Sequence, residues 1–388
     1  MNRSSLLHII ERLEGFLGKL PDTIRRPVLH ELTPLKELFL QQRPPRFVLT
    51  GSNRLPLQEL AATLFNWRTE ADSREVLMEL FRWHAIDLGG RGTVSFLDAR
   101  GADARTMEKI EEELKAYPPD MLLHLADDDS RSPGSGELEN LGRFARRPPE
   151  NHQPKIIGVV LSSGRRSSRD RDGDSSITAT APARARVQAA LQDDAVIAPH
   201  LVQVVEVGES SSSASSFLSL LARTMPNEAR VEMARIAQDR QVQGDIAQTL
   251  VKSTTAICAA IGAQPIPLAD LPILTALQLV MVSGVMYISG RERSLRAATE
   301  FIGALGVNVG AGMILREGTR ALLKFFPGWG NVVCGAVAGA GTYAMGRAAI
   351  VYFLEGMTLQ QARRTYLSSR KKRNRPESRA AMQIEAAR

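Results

Sequence analysis

The sequence predicts an α/β chain in which a doubly wound, largely parallel sheet domain over residues 46–225 is followed by an all-α region. Three observations predict it. Six short apolar runs between Phe47 and Val207 alternate with helical stretches, the pattern of strands covered on both faces. A strand-like run, Arg46 to Thr50, hands over to a glycine, Gly51. After Pro226 the strand signal ends and apolar helical stretches take over.

Residues 1–45 hold two amphipathic stretches. Leu6, Ile10, Leu13, Leu17 and Leu20 recur at helical spacing until Pro21, and Pro27 to Phe39 gives a second stretch that stops before Pro44-Pro45. Both are expected to pack on the protein's own core, a partner surface being the other use of such a stripe. The strand runs are Phe47 to Leu49, Glu75 to Leu88, Thr93 to Leu97, Met121 to Ala126, Lys155 to Leu161 and Leu201 to Val207. Helical stretches at Leu57 to Trp67, Ala104 to Tyr117, Glu137 to Arg146 and Ala183 to Leu191 separate most of them. Gly89-Gly-Arg-Gly92 is too short for a crossover, so the second and third runs form a hairpin that contributes one antiparallel strand. Ser162 to Ser176 and Glu209 to Ser216 read as mobile loops.

Residues 226–362 read as helical. A charged helix is expected from Asn227 to Ile261, then apolar helices punctuated by Pro265-Ile-Pro267, Pro272 and Pro327-Gly328. Leu271 to Gly290 and Phe325 to Gly346 are runs of 20 and 22 residues without a charged side chain. Each is long enough to span a bilayer, although Pro272, Gln278 and several glycines dilute the hydrophobicity. Gly306-Val-Asn-Val-Gly310 and Gly335-Ala-Val-Ala-Gly339 place glycines one turn apart, which lets helices approach closely in a membrane or in a bundle. Asp270, Glu300, Arg316, Glu317 and Glu355 lie at or between the apolar runs and must cap, pair or reach an interface.

The net charge of +7 resides in a basic tail, residues 363–388, which carries nine Lys and Arg against Glu377 and Glu385. The other 362 residues balance at 40 basic and 40 acidic. Such a tail is compatible with solvation alone, with anionic lipid or with nucleic acid. No aromatic residue follows Tyr366, so base stacking is unsupported and nucleic acid is not an expected partner. Two cysteines, Cys258 and Cys334, supply neither a disulfide framework nor a metal-ligand set, which fits a reducing compartment. Glu11, Arg12 and Glu14 interrupt the first apolar stretch, so an export signal is not expected and the chain is placed in the cytoplasm. The six histidines show no metal spacing, and no G-x-S-x-G elbow occurs.

The motifs point to a nucleotide fold without its chemistry. Gly51 stands where G-x-x-x-x-G-K-[S/T] should begin, but the last three positions are Pro56, Leu57 and Gln58. The lysine for the β/γ-phosphates and the hydroxyl for Mg²⁺ are missing, and proline removes a backbone N–H. Asp98-Ala-Arg-Gly101 satisfies D-x-x-G at the end of the third run, where Asp would hold Mg²⁺ through water and the Gly amide would sense the γ-phosphate. Asp127-Asp-Asp129 reads as a solvated acidic loop, a cation site being the alternative. After the fifth run, where N-K-x-D would read guanine, stands Ser162-Ser-Gly-Arg165.

This order of strand, failed phosphate loop, hairpin, D-A-R-G and degenerate N-K-x-D resembles the Era-like small GTPases over about residues 46–225, and so implies a P-loop GTPase-like sheet. Ala263-Gln-Pro-Ile-Pro-Leu-Ala-Asp270, Leu274-Thr-Ala-Leu-Gln278 and Phe326-Pro-Gly-Trp-Gly330 resemble the helical domain that follows such G domains and recurs in YcjF-like membrane proteins. The resemblance implies a membrane-associated helical domain with no established catalytic residue. Carried over, Gly51, Asp98 and Gly101 are remnant nucleotide-site positions, Asp98 being a metal ligand only if Mg²⁺ is bound; Arg54 is a substitute for the missing lysine if the site survives as a switch. The expectation is a pseudo-GTPase, without hydrolysis and with no catalytic residue, at the inner face of the cell membrane. No cofactor is expected, GTP and Mg²⁺ entering only with a functional site. The expected partners are a membrane surface or bilayer and a protein partner or second copy. The other readings are a switch with residual GTP affinity and a soluble scaffold with a helical bundle.

Overall fold

The computed structural model describes residues 22–65, 81–128, 133–146, 153–162, 182–208, 211–263, 270–305 and 330–370. The chain forms two compact units: Arg43–Ala237, and a second built from Met1–Gln42 together with Gln238–Arg388. The division differs from the sequence boundaries at 45/46 and 225/226.

First in the chain is α1 (Asp22–Leu35), which runs on into a π-helical turn, Lys36–Leu40. The sheet unit follows with β1 (Arg46–Gly51), α2 (Leu57–Phe65), β2 (Trp83–Asp87), β3 (Thr93–Asp98), α3 (Met107–Ala116) and β4 (Met121–Asp127). It continues through α4 (Ser135–Arg146), β5 (Lys155–Ser162), α5 (Ala183–Asp193), β6 (Leu201–Gly208), α6 (Ser211–Thr224) and α7 (Asn227–Ala237). The strand order is β2-β3-β1-β4-β5-β6, with β2 antiparallel to β3 and every other pairing parallel. The predicted hairpin is therefore present, turned by Gly89–Arg91.

Alternation along β1 sends its side chains to two covered faces. Phe47 meets Phe96 of β3 and Phe65 of α2 at ring-centroid distances of 5.5 and 6.0 Å. Val48 joins Leu97, Leu122 and Ile156 in a core closed by Ile110 of α3, Phe144 of α4 and Leu191 of α5. Both faces of the central strands are thus covered, and each fully buried phenylalanine contributes about 2–3 kcal/mol of transfer free energy. At the opposite end of β1, the buried Asp120 accepts two hydrogen bonds from Arg43, at 2.7 and 2.6 Å, and one from the Arg46 N–H. This fixes the starts of β1 and β4 beside each other.

Two sequence expectations are corrected in this unit. Ser211 to Ser216, read as a loop, is the start of α6; Ser213 accepts from the Gly208 N–H, and the apolar Phe217, Leu218 and Leu221 bury the helix. The single helix expected from Asn227 to Ile261 is broken: Gln238 takes a positive φ of 52°, and Asp239 caps a new helix by accepting from the Gln241 and Val242 N–H groups. That break is also where the sheet unit ends.

The helical unit comprises α1, α8 (Arg240–Gly262), α9 (Asp270–Ile288), α10 (Leu295–Ala304), α11 (Gly330–Phe353) and α12 (359–370). Val28, Leu32 and Leu35 of α1 are buried where that helix packs on α8, so the second N-terminal stretch completes this bundle. Gln42 donates to the Tyr287 hydroxyl and pairs with Arg293, whose guanidinium lies 4.1 Å from the Tyr287 ring centroid. α8 packs against both α9 and α11. A polar joint ties the three, Gln278 donating to Thr342 at 2.9 Å while the Cys258 thiol also engages Thr342. Burial pushes that thiol up to about 12, so it behaves as an inert core group.

Among the described residues no helix is long and apolar enough to cross a membrane. The run Leu271 to Gly290 falls on α9 and the turn after it. Of the second run, 325–329 lie outside the described residues and the rest begins α11. Glycines 335 and 339 face α8: a Cβ at Gly335 would lie 2.7 Å from the Ala259 carbonyl oxygen, and one at Gly339 3.0 Å from the Ala259 methyl. Also outside the described residues lie the first stretch (Leu6 to Leu20), the start of the second run, Asp129, 163–176, the prolines at 265 and 267, Gly306 to Gly310 with Arg316 and Glu317, and 371–388. The expected tail boundary at 363 falls inside α12.

The α8–α11 seam predicts opposite outcomes at two neighbouring glycines. Gly335→Val should lower the unfolding free energy by about 2 kcal/mol or more, because the backbone carbonyl it meets cannot move aside. Gly341→Ala, with nothing within 4 Å, should be neutral or raise it by up to about 1 kcal/mol through helix propensity. Denaturant unfolding followed by far-UV circular dichroism distinguishes the two.

Candidate functional site

The carboxyl ends of β1, β3 and β4 are adjacent in the sheet, and the order turns back on itself at β1, the place where open α/β sheets bind ligands. β1 ends at Gly51 with φ +84°, and a Cβ there would strike the Leu125 carbonyl of β4. The next residue stays on β4, the Ser52 N–H donating to Leu125 O at 2.8 Å. Loop 52–56 then leads directly into α2.

Two amides of the loop bond inside the protein and two of its carbonyls hold a cation. The Ser52 amide is engaged by Leu125, the Arg54 amide points to the Ser52 hydroxyl at 3.4 Å, and Pro56 has none. The carbonyls of Ser52 and Leu55 accept from Nη1 of Arg100, at 3.5 and 2.8 Å. The same guanidinium closes a two-pronged ion pair on Asp98, Nε to Oδ1 at 2.7 Å and Nη2 to Oδ2 at 2.6 Å. Its side chain is only 5% exposed. Arg100 therefore places a fixed cation between the end of β3 and the loop after β1, with its fork matched to the carboxylate.

A second carboxylate lies at the end of β4. Asp127 accepts from the Ser52 hydroxyl at 2.8 Å and from Arg54 Nε at 3.0 Å. It is buried and ends a strand, which corrects its reading as a solvated loop acid. Behind Gly51, Thr50 and His124 pair through Oγ1 and Nδ1 at 3.1 Å. Burial pulls His124 down to about 4, so its ring is neutral at pH 7.

The predicted positions are thus partly united. Gly51 and Asp98 end neighbouring strands, and Gly101, at φ +70°, lies where a Cβ would be 3.6 Å from Asn53 Nδ2. Arg54 pairs with Asp127. Ser162 ends β5, and the remainder of the expected guanine-reading segment lies outside the described residues. Sequence reasoning missed Arg100 and Ser52, and took Asp127 for a solvated loop acid or a cation ligand rather than the partner of Ser52 and Arg54. Arg100 was detectable: it is an internal residue of D-A-R-G, two positions from the acid its guanidinium binds.

These residues do not fit a Mg²⁺–nucleotide. Asp98 is held by a guanidinium, two of the loop amides are engaged inside the protein, and the positions of the motif lysine and hydroxyl carry Leu57 and Gln58. Among the described residues no three His, Cys, Asp or Glu side chains group as a metal set.

No family model matches the chain. Among curated proteins, magnetosome membrane protein 22 of Magnetospirillum gryphiswaldense is 30% identical over 118 residues, which is 29% of this chain. The match spans 59% of that protein's length.

Two outcomes follow from the site. Arg100→Ala leaves Asp98 facing the loop carbonyls without a cation and should cost about 2–3 kcal/mol in urea unfolding; Arg100→Lys should recover only part of it, lacking the fork. His124 holds protons less tightly folded than unfolded, so its contribution is complete above pH 6.5 and is lost as pH falls to about 4. Wild type should lose about 3 kcal/mol over that window through this group, and His124→Gln should show a correspondingly flatter dependence in unfolding midpoints.

Proposed function

We propose that this chain is a pseudo-GTPase of the Era-like type: a binding or scaffold protein that pairs a G-like α/β unit with a membrane-associated helical unit. The observation that carries the reading is Arg100, whose guanidinium takes the place on Asp98 where a G protein needs a hydrated metal ion. The failed phosphate loop supports it, as does the sheet, in which the phosphate-loop strand and the D-x-x-G strand are parallel neighbours and the hairpin supplies one antiparallel edge. Hydrolysis is lost because the lysine, the Mg²⁺ hydroxyl and an available D-x-x-G carboxylate are missing together. The α/β unit then acts through its surface, toward a protein partner or a second copy.

Membrane association is the second half of the proposal. The long apolar runs, the basic tail and the partial similarity to a protein named for the magnetosome membrane support it. The place of action is the inner face of the cell membrane, with the basic end in the cytoplasm.

The purified chain should show no GTP turnover above background with or without Mg²⁺, and no saturable binding of a fluorescent GTP analogue. Mg²⁺-dependent turnover abolished by Asp98→Ala would overturn the proposal, whereas saturable binding without turnover would replace it with the switch. For the second half, the protein should sediment with membranes of expressing cells; recovery entirely in the soluble fraction would leave a soluble scaffold.

A further inference from the structure

We infer that α12 forms a docking element for an anionic phospholipid surface. The inference rests on the membrane-associated reading of the helical unit and gives it a lipid chemistry and a set of residues.

The helix is held in a defined direction. After α11 the chain turns at Gly356, φ +69°, with the Met357 N–H bonded to Val351 O at 3.1 Å. Thr358 and Gln361 then close a reciprocal cap: the Gln361 N–H donates to the Thr358 hydroxyl, and the Thr358 N–H donates to Gln361 Oε1 at 2.9 Å. Ala362 and Tyr366, one turn apart, are buried and anchor one side.

The adjoining side combines apolar and cationic groups in water. At 100° per residue, Leu359, Arg370, Arg363, Leu367, Gln360 and Arg364 fall within a sector of about 140° beside the anchor. Leu359 is 37% exposed and Leu367 55%, with Met357 at 43% just before the cap. Arg363 and Arg364 are exposed as well. Leucines set among arginines suit the boundary between acyl chains and anionic headgroups, where the apolar groups insert and the guanidinium groups meet phosphate. The charge is complementary to such a surface. Nucleic acid would ask for an aromatic platform, yet Tyr366 is buried and no aromatic follows it.

The test is flotation of the purified full chain with vesicles of phosphatidylcholine, alone or mixed with phosphatidylglycerol, at low and high salt. The expected result is binding to the mixed vesicles only, weakened by salt. The triple variant Arg363→Gln, Arg364→Gln, Arg370→Gln should lose roughly tenfold to a hundredfold in partitioning, and Leu359→Ser with Leu367→Ser roughly tenfold. Arg105→Gln, a charge change in the other unit, should bind as wild type. Equal, salt-insensitive binding to both vesicles, unchanged in the triple variant, would overturn the inference while leaving membrane association standing. Binding to neither would overturn both, and tighter binding to single-stranded RNA than to mixed vesicles would overturn the lipid assignment. Unchanged thermal unfolding of the variants keeps each result attributable to the surface, since the substituted side chains are outside the core.

Discussion

The fork of Arg100 sets what the upper edge of this sheet is able to do. A carboxylate at the end of β3 and main-chain carbonyls after β1 are all electron-rich, and brought together without a cation they would repel and lose solvation. One guanidinium satisfies them at once, at 2.6 to 2.8 Å for its three shortest contacts. In a nucleotide-hydrolysing domain the corresponding positive charge arrives with the ligand and leaves with it. Here it is covalently part of the chain, so the edge is electrostatically complete by itself.

That completeness extends to β4 and the strand interior. Asp127 is satisfied by Ser52 and Arg54, and His124 is kept neutral against Thr50. The groups around Gly51 therefore bond one another rather than point outward. The arrangement is suited to holding the loop after β1 in one shape.

The helical unit rests on a different constraint, the closeness of α8 and α11. Gly335 and Gly339 remove side chains where the Ala259 backbone and methyl come nearest, and the contact is then made by dispersion over a dry surface. Glycines one turn apart were legible in the sequence, but their partner was not. The same spacing serves two membrane helices or one bundle, and in this chain the partner is α8 of the same unit. α1 shows the same limit: its stripe of Val28, Leu32 and Leu35 announced an amphipathic helix without saying that it closes a bundle whose other members lie more than two hundred residues away.

By itself the sequence determined the local elements. Apolar runs contain β1 to β6, Gly89 to Gly92 became the hairpin turn, and the departures at Pro56, Leu57 and Gln58 announced a phosphate loop without its lysine or hydroxyl. These are properties of neighbours along the chain, where steric and hydrogen-bonding preferences act within a few residues. Tertiary structure alone decided that Arg100 also reaches Leu55, that Asp127 is buried against Ser52 and Arg54, and that the first described helix belongs with the last. Each depends on which distant groups share a low-dielectric space, and charge pairing and close packing there are set by distance in space rather than by separation along the chain.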